Sequence, residues 1–299
     1  MANITTTEVG DMLATIIAAE ALGRLRSNMV LGNLVARDWD NEVATYGQTV
    51  QIPFRGALTV NDKAANTDYT VQAPTDTKVD VTLDKHKEVS FIVEDLARAL
   101  ARPDVIMGYI DDGIIAIGEQ IEADIAALYA GMSQTIDATA ANGPLSVSHF
   151  LQARKLLSIA KAPMSDRYAV LHPQGALEAL GIEELTNRDY GNDGVLVNPQ
   201  FRLGNFAGFQ VIEAQGIAEV AGVQKNLFFH KNAFALVTRP LPAPQAGTGV
   251  ITKVMAENGV GIRVMISYQH LKGGHLVTLD CLYGVKALRD NHGVLVETD

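Results

Sequence analysis

Residues 79–93 read VDVTLDKHKEVSFIV. Val79, Val81, Leu83, Val89, Phe91 and Val93 fall on one side of an alternating pattern, the mark of a half-buried strand. Lys85 and Lys87 occupy the middle of that same side. At about 3.3 Å per residue such a strand reaches roughly 50 Å, well past the usual length of about 5 to 6 residues. A compact chain of 299 residues has a diameter of about the same 50 Å. The segment therefore reads as one that leaves its own globule.

The residues before it fit that reading. From Thr49, Val50, Ile52 and Phe54 alternate, and Pro53 confines their strand to an edge or an arm. The stretch NDKAANTDYTVQAPTDT (61–77) then runs without Leu, Ile or Phe. So long an irregular segment is out of place inside a domain but suits the tip of a projecting hairpin. Residues 48–93 read as an arm whose apolar side is completed only by further copies of the chain.

After the arm, Ile106, Ile110, Ile114, Ile117, Ile121, Ile125 and Leu128 recur at helical spacing and predict a helix with one buried stripe. Pro103 restarts it, so that Asp104–Tyr129 spans about 39 Å. Off the stripe lie Asp111, Asp112, Glu119, Glu122 and Asp124, which make its exposed surface acidic. The glycines at 108, 113 and 118 share no helical face. A second helix is expected over Ser146–Ala160, and RYAVLHP (167–173) reads as a short buried strand stopped by Pro173. Residues 174–249 are more broken: a short helix (ALEALG), the loop TNRDYGNDG, a glycine-punctuated turn region (RLGNFAGFQVIEAQG), the strand NLFFHKNAFALVTRP and the stretch LPAPQAGTG. The C-terminus is β-rich, with a hairpin signal at Asn258-Gly259 and a turn at Gly273-Gly274. Toward the N-terminus, Met12, Leu13, Ile16, Ile17 and Leu22 predict an amphipathic helix, and Trp39 follows in a polar connector.

Composition narrows the classes. With 34 acidic against 24 basic side chains the formal charge is -10, which argues against phosphate-driven nucleic-acid binding. The single cysteine, Cys281, excludes an internal disulfide and a Cys-rich zinc site, and its strand context reads as a core position. No apolar run approaches a membrane span, and the N-terminus lacks a secretory pattern. Phosphate-loop, nucleophile-elbow, zinc-protease and dinucleotide fingerprints are missing, so no catalytic, cofactor or metal site is expected. His270 and His275 flank a glycine turn at a spacing that matches no zinc pattern, His172 reads as a strand-end residue, and His230 lies in an alternating strand.

The order of these parts resembles the major capsid protein of tailed bacteriophages, most nearly the coat proteins of short-tailed phages. The likeness rests on VTLDKHKEVSF, RYAVLHP, GNFAGFQVIEAQGI, FFHKNAFALVTRPLP and RVMISYQHLKGGHLVTLDCLYGVKAL, in that order. It implies an α+β chain of the Hong Kong 97-type capsid fold. By position, residues 1–47 would be an N-terminal arm, 48–93 the extended β-hairpin loop, 94–165 the spine helix and peripheral domain, 166–249 the axial domain, and 250–299 the strands that return to the peripheral domain. It further implies self-assembly through pentamers and hexamers into an icosahedral shell around double-stranded DNA, formed in the host cytoplasm. A scaffolding protein, a portal protein at one vertex and a possible decoration protein would be its partners. Two departures stand out: the axial region has no room for an added β-domain, and the 47 residues before the arm are too few for a long built-in scaffolding segment. A separate scaffolding protein is therefore expected.

On this likeness, Lys85, Lys87 and Glu88 would make contacts between subunits, the lysines meeting Asp111, Asp112, Glu119, Glu122 and Asp124 of a neighbouring spine. The competing reading has both lysines in solvent, protecting a strand edge. Lys63 near Asn61 and Asn66 is similar to the Lys-Asn pairs that cross-link some capsids, but a polar tip explains the same residues. A cellular encapsulin-type nanocompartment shell, a soluble enzyme and a tube-forming tail protein are the rival readings.

Overall fold

Pro103 opens the longest helix among the described residues, α2 (Pro103–Ala126), as a residue without an N–H and with preset φ should. A shorter helical turn, α1 (Leu31–Leu34), precedes it in the chain. The 24 residues of α2 span about 36 Å. Ile110, Ile114, Ile117, Ile121 and Ile125 are all at most 3% exposed, so the predicted stripe is buried through these five positions, with Leu128 beyond them half-buried. A 3-10 turn (Ala127–Gly131) ends it. This computed structural model describes residues 29–38, 49–56, 58–95, 103–137, 143–183, 202–245, 249–257 and 260–299. The helix expected over Met12–Leu22, Trp39, the loop at 186–195 and Asn258-Gly259 lie outside them.

The stretch 79–93 is two strands in two sheets. β1 (Thr49–Phe54) and β2 (Thr77–Thr82) form an antiparallel pair with Ile52 opposite Val79. After Leu83-Asp84 the chain enters β3 (Lys85–Glu94), which belongs to a separate five-stranded sheet. A 4-residue strand, β4 (Gln134–Asp137), follows α2 in the chain and joins the third sheet.

That third sheet has seven strands: β4, β5 (Arg167–Leu171), β6 (Arg202–Phe206), β7 (Phe209–Glu213), β8 (Glu219–Val220), β9 (Val223–His230) and β14 (Gly293–Thr298). The five-stranded sheet contains β3, β10 (Phe234–Arg239), β11 (Ile251–Glu257), β12 (Val260–Gln269) and β13 (Gly274–Ala287). The segment NLFFHKNAFALVTRP, expected as one strand, is thus β9 and β10 in different sheets, joined by a 3-10 turn at Lys231–Ala233. The glycine-punctuated region is a hairpin, β6–β7, whose turn residues Ala207 and Gly208 both have positive φ.

Helices α3 (Val147–Ile159) and α4 (Pro173–Leu180) lie on one face of the seven-stranded sheet. Ser146 opens α3 with a reciprocal cap, its side chain bonding back while His149 Nδ1 accepts from the Ser146 N–H at 3.0 Å. His172 caps α4, accepting from Gln174 N–H, so this strand-end histidine is also a helix start. Beneath the helices, Phe228 meets Phe150 and Phe209 edge to face at 5.0 and 5.3 Å. Alternate residues of the same strands, Val170, Ile212, Leu227, Phe229 and Leu295, point to the opposite face and share the main core with α2 and the five-stranded sheet.

Candidate assembly surfaces

The arm divides into a sealed base and an exposed tip. Val50, Ile52, Val81 and Leu83 are buried against Ala235, Val237 and Leu288 of the same chain. Val89 and Phe91 pack on the main core, β3 being paired with β13 along ten residues. The expectation that the whole apolar side of 48–93 waits for another copy is therefore corrected. The chain bends at Leu83-Asp84, so residues of one parity face two cores of its own molecule. Residues beyond this base behave differently. Leu58 is 68% exposed, Val60 99%, Tyr69 82% and Val71 92%. The tip is held by side-chain bonds instead of a ladder: Gly56 N–H donates to Asp76 Oδ1 at 3.0 Å, and Thr59 N–H to Gln72 Oε1 at 2.9 Å.

The two lysines in the apolar row face α2 because β3 pairs with β13 above that helix. Lys85 lies opposite Tyr283 and Lys87 opposite Cys281. Lys85 Nζ reaches Asp124 Oδ1 of its own chain at 2.9 Å, and Tyr283 Oη donates to Asp124 Oδ2 at 2.6 Å. Burial opposes the Asp124 charge, yet the Tyr283 hydroxyl and the Lys85 and Lys87 ammoniums outweigh it and hold the carboxyl below its usual range. Asp124 sits in the last turn of α2, where added cations also complement the helix dipole. The acid assigned to Lys85 from a neighbour is supplied within the subunit.

Glu122 corrects a second expectation. Placed by spacing on the exposed acidic face, it is 6% exposed, because residues 29–36 cover that part of α2. Its carboxylate accepts the N–H groups of Val30 and Leu31, the latter at 2.7 Å, at the start of α1. Burial pushes its pKa up from 4.5 to about 7, with the N–H groups of Leu31, Val30 and Gly32 pulling the other way. Of the remaining predicted residues, Asp112, Glu119 and Glu88 are exposed, and Lys87 and Asp111 are half-buried. Ser90 Oγ donates to Glu88.

The sequence model of the phage capsid protein family matches residues 27–239. The chain belongs to that family. Solved structures agree in fold. The structure of Mycobacterium phage Che8 superposes with a TM-score of 0.64 at 21% identity, covering 90% of each chain. The capsid of cyanophage P-SCSP1u gives 0.67 at 15% identity, covering 91% of this chain and 88% of that one. A virus-like particle from Pyrococcus furiosus gives a lower 0.52 at 10% identity, over 95% and 99%. None of the curated proteins matches the sequence. The fold is the Hong Kong 97-type capsid fold, and the protein is a major capsid protein that forms a phage shell.

In this capsid protein the exposed apolar residues of the tip escaped the sequence reading. They are scattered among Asp, Asn, Thr and Pro, and the absence of Leu, Ile and Phe from 61–77 hid the importance of Val71 and Tyr69. Gly113 also acquires a reason: a Cβ there would lie 3.2 Å from both Val89 and Leu279, where β3 and β13 press on α2. Cys281 is buried as expected, and burial raises its thiol pKa to about 12. His275 stacks edge to face with Tyr268 at 5.1 Å, and Lys63 lies over the Tyr69 ring at 5.1 Å. Among the described residues no three His, Cys, Asp or Glu side chains gather as metal ligands. A polar hollow of about 350 Å³ is lined by Asp166, Arg167, Tyr168, Asn205 and Gln210. Arg167 is already engaged there, donating to the carbonyls of Ala162 and Pro163 at 2.7 Å each.

Proposed function

We propose that the capsid protein joins its neighbours through the hairpin tip at 55–76, and that Lys87, Glu88, Asp111, Asp112 and Glu119 add charged contacts between subunits. The tip's four exposed apolar side chains carry this reading. Apolar groups exposed on a projection with no core beneath them gain stability only from a surface outside the chain. In a shell that surface is another copy, and the contact repeats at every equivalent position. A scaffolding protein, a portal protein and a possible decoration protein complete the partner set that the family membership supports, with assembly in the host cytoplasm. The net charge of -10 supports a shell that encloses DNA without gripping it.

The test replaces Leu58, Val60, Tyr69 and Val71 together with Ser. The subunit should keep its circular dichroism and melting temperature, since the tip adds nothing to the core. Its sedimentation should shift from shells to subunits or single capsomers. Normal shells from the quadruple variant, at normal yield and size by electron microscopy, would refute the assignment.

A further inference from the structure

Two of the chain's passages between the five- and seven-stranded sheets are tight and lie side by side. β9 runs into β10 through Lys231–Ala233, and β13 runs into β14 through a 3-10 turn at Asp290–His292. The turns are bonded to each other, with the N–H groups of Leu288 and Arg289 both donating to the Ala233 carbonyl, at 2.8 and 3.3 Å. Each turn carries a buried histidine. His230 is 4% and His292 5% exposed, and their rings meet edge to face at 6.0 Å and 88°.

The bonding around the pair requires neutral rings. His230 Nδ1 accepts the Asn232 N–H at 3.1 Å and so caps the first turn; a proton on that nitrogen would set donor against donor. His292 Nδ1 is buried and meets no hydrogen-bonding partner among the described residues, so a proton there would gain an N–H with no acceptor. Charged groups facing the pair are Arg167, Lys231 and Arg289, opposed by Asp166, while the Ala160 backbone bonds to His292. Burial, then the neighbouring cations, holds both imidazoles below their usual pKa, with Asp166 and the Ala160 bond opposing.

We propose that His230 and His292 form an acid-sensitive pin that fixes the angle between the two sheets of the capsid subunit while both rings are neutral. Protonation removes the cap of one turn, places two like charges in contact and frees the paired crossing. A pKa held below the unfolded value means the folded state binds fewer protons, so the stabilisation is complete above the ordinary histidine range and is lost as pH falls through it.

Hydrogen–deuterium exchange of the full-length protein, corrected for the intrinsic rate at each pH, reads this directly. Between about pH 8 and about pH 5, protection of peptides spanning 228–236 and 286–294 should fall together by about tenfold or more while β12 stays protected. The pair His230→Asn and His292→Phe, which keeps a capping acceptor and an aromatic edge without a titrating group, should remove that dependence. Unchanged protection of the two turns in the wild type would overturn the proposal, as would a loss spread evenly through β12, or an acid response retained in the double variant. The wild-type measurement decides the matter even if the variant does not fold.

Discussion

Replacing Glu122 with Gln removes an ionisable group from the seam between α2 and residues 29–36 while keeping an oxygen to accept the Val30 and Leu31 N–H groups. Below about pH 4.5 the wild-type carboxyl is neutral in folded and unfolded chains alike. Between 4.5 and about 7 the unfolded chain releases the proton and the folded chain retains it, so stability falls as pH rises. Above that window the loss levels off at about 3 kcal/mol, the free-energy equivalent of the raised pKa. Because every other titrating group is common to both proteins, the difference in stability between Glu122→Gln and wild type isolates this site. Urea denaturation of dissociated subunits from about pH 5 to about pH 9 should show that difference moving in favour of the variant by about 2 to 3 kcal/mol and then flattening. A difference independent of pH, or one that favours the variant more as pH falls, would refute the buried, proton-retaining carboxyl.

Four further substitutions separate subunit stability from assembly. Gly284→Ala would place a Cβ 2.2 Å from the Thr82 carbonyl oxygen, a backbone atom where the β1–β2 pair docks on β13, and should lower stability by about 3 kcal/mol or more in denaturant titration. Arg263→Ala would strip Asp280 of its guanidinium, bound through Nε at 3.0 Å and through Nη2, leaving a 2% exposed carboxylate whose remaining ion-pair partner among the described residues is the more distant His86; a loss of about 3 to 5 kcal/mol is expected. Lys87→Glu should reduce shell yield by light scattering and lower the melting temperature of the subunit only slightly, whereas Lys85→Glu should lower that temperature much further, because it sets a second carboxylate in contact with Asp124, an acid on which Lys87 acts only through its charge.

Local pattern carried much of the fold. The isoleucine stripe of α2, the start and end of α3 near Ser146 and Ala160, and β5 before Pro173 each follow from periodicity and from residues whose backbone chemistry is fixed in place. These features depend on neighbours within one or two turns of chain, and such neighbours are written side by side in the sequence.

Alternation along 79–93 established that one side would be buried, but not against what. Only the tertiary structure decided that Val81 and Leu83 face Ala235 and Val237 while Val89 faces Leu279 and α2. The same holds for β9 and β10, two runs of buried residues in one phrase that enter separate sheets through a three-residue turn. Glu122 sits at a polar position of its helix, and what buries it lies ninety-one residues away at Leu31. His230 and His292 are isolated in sequence and become a pair only when two crossings meet. A period reports how often a side chain is covered; the partner that covers it is selected by chain topology, which brings together residues that no local spacing relates.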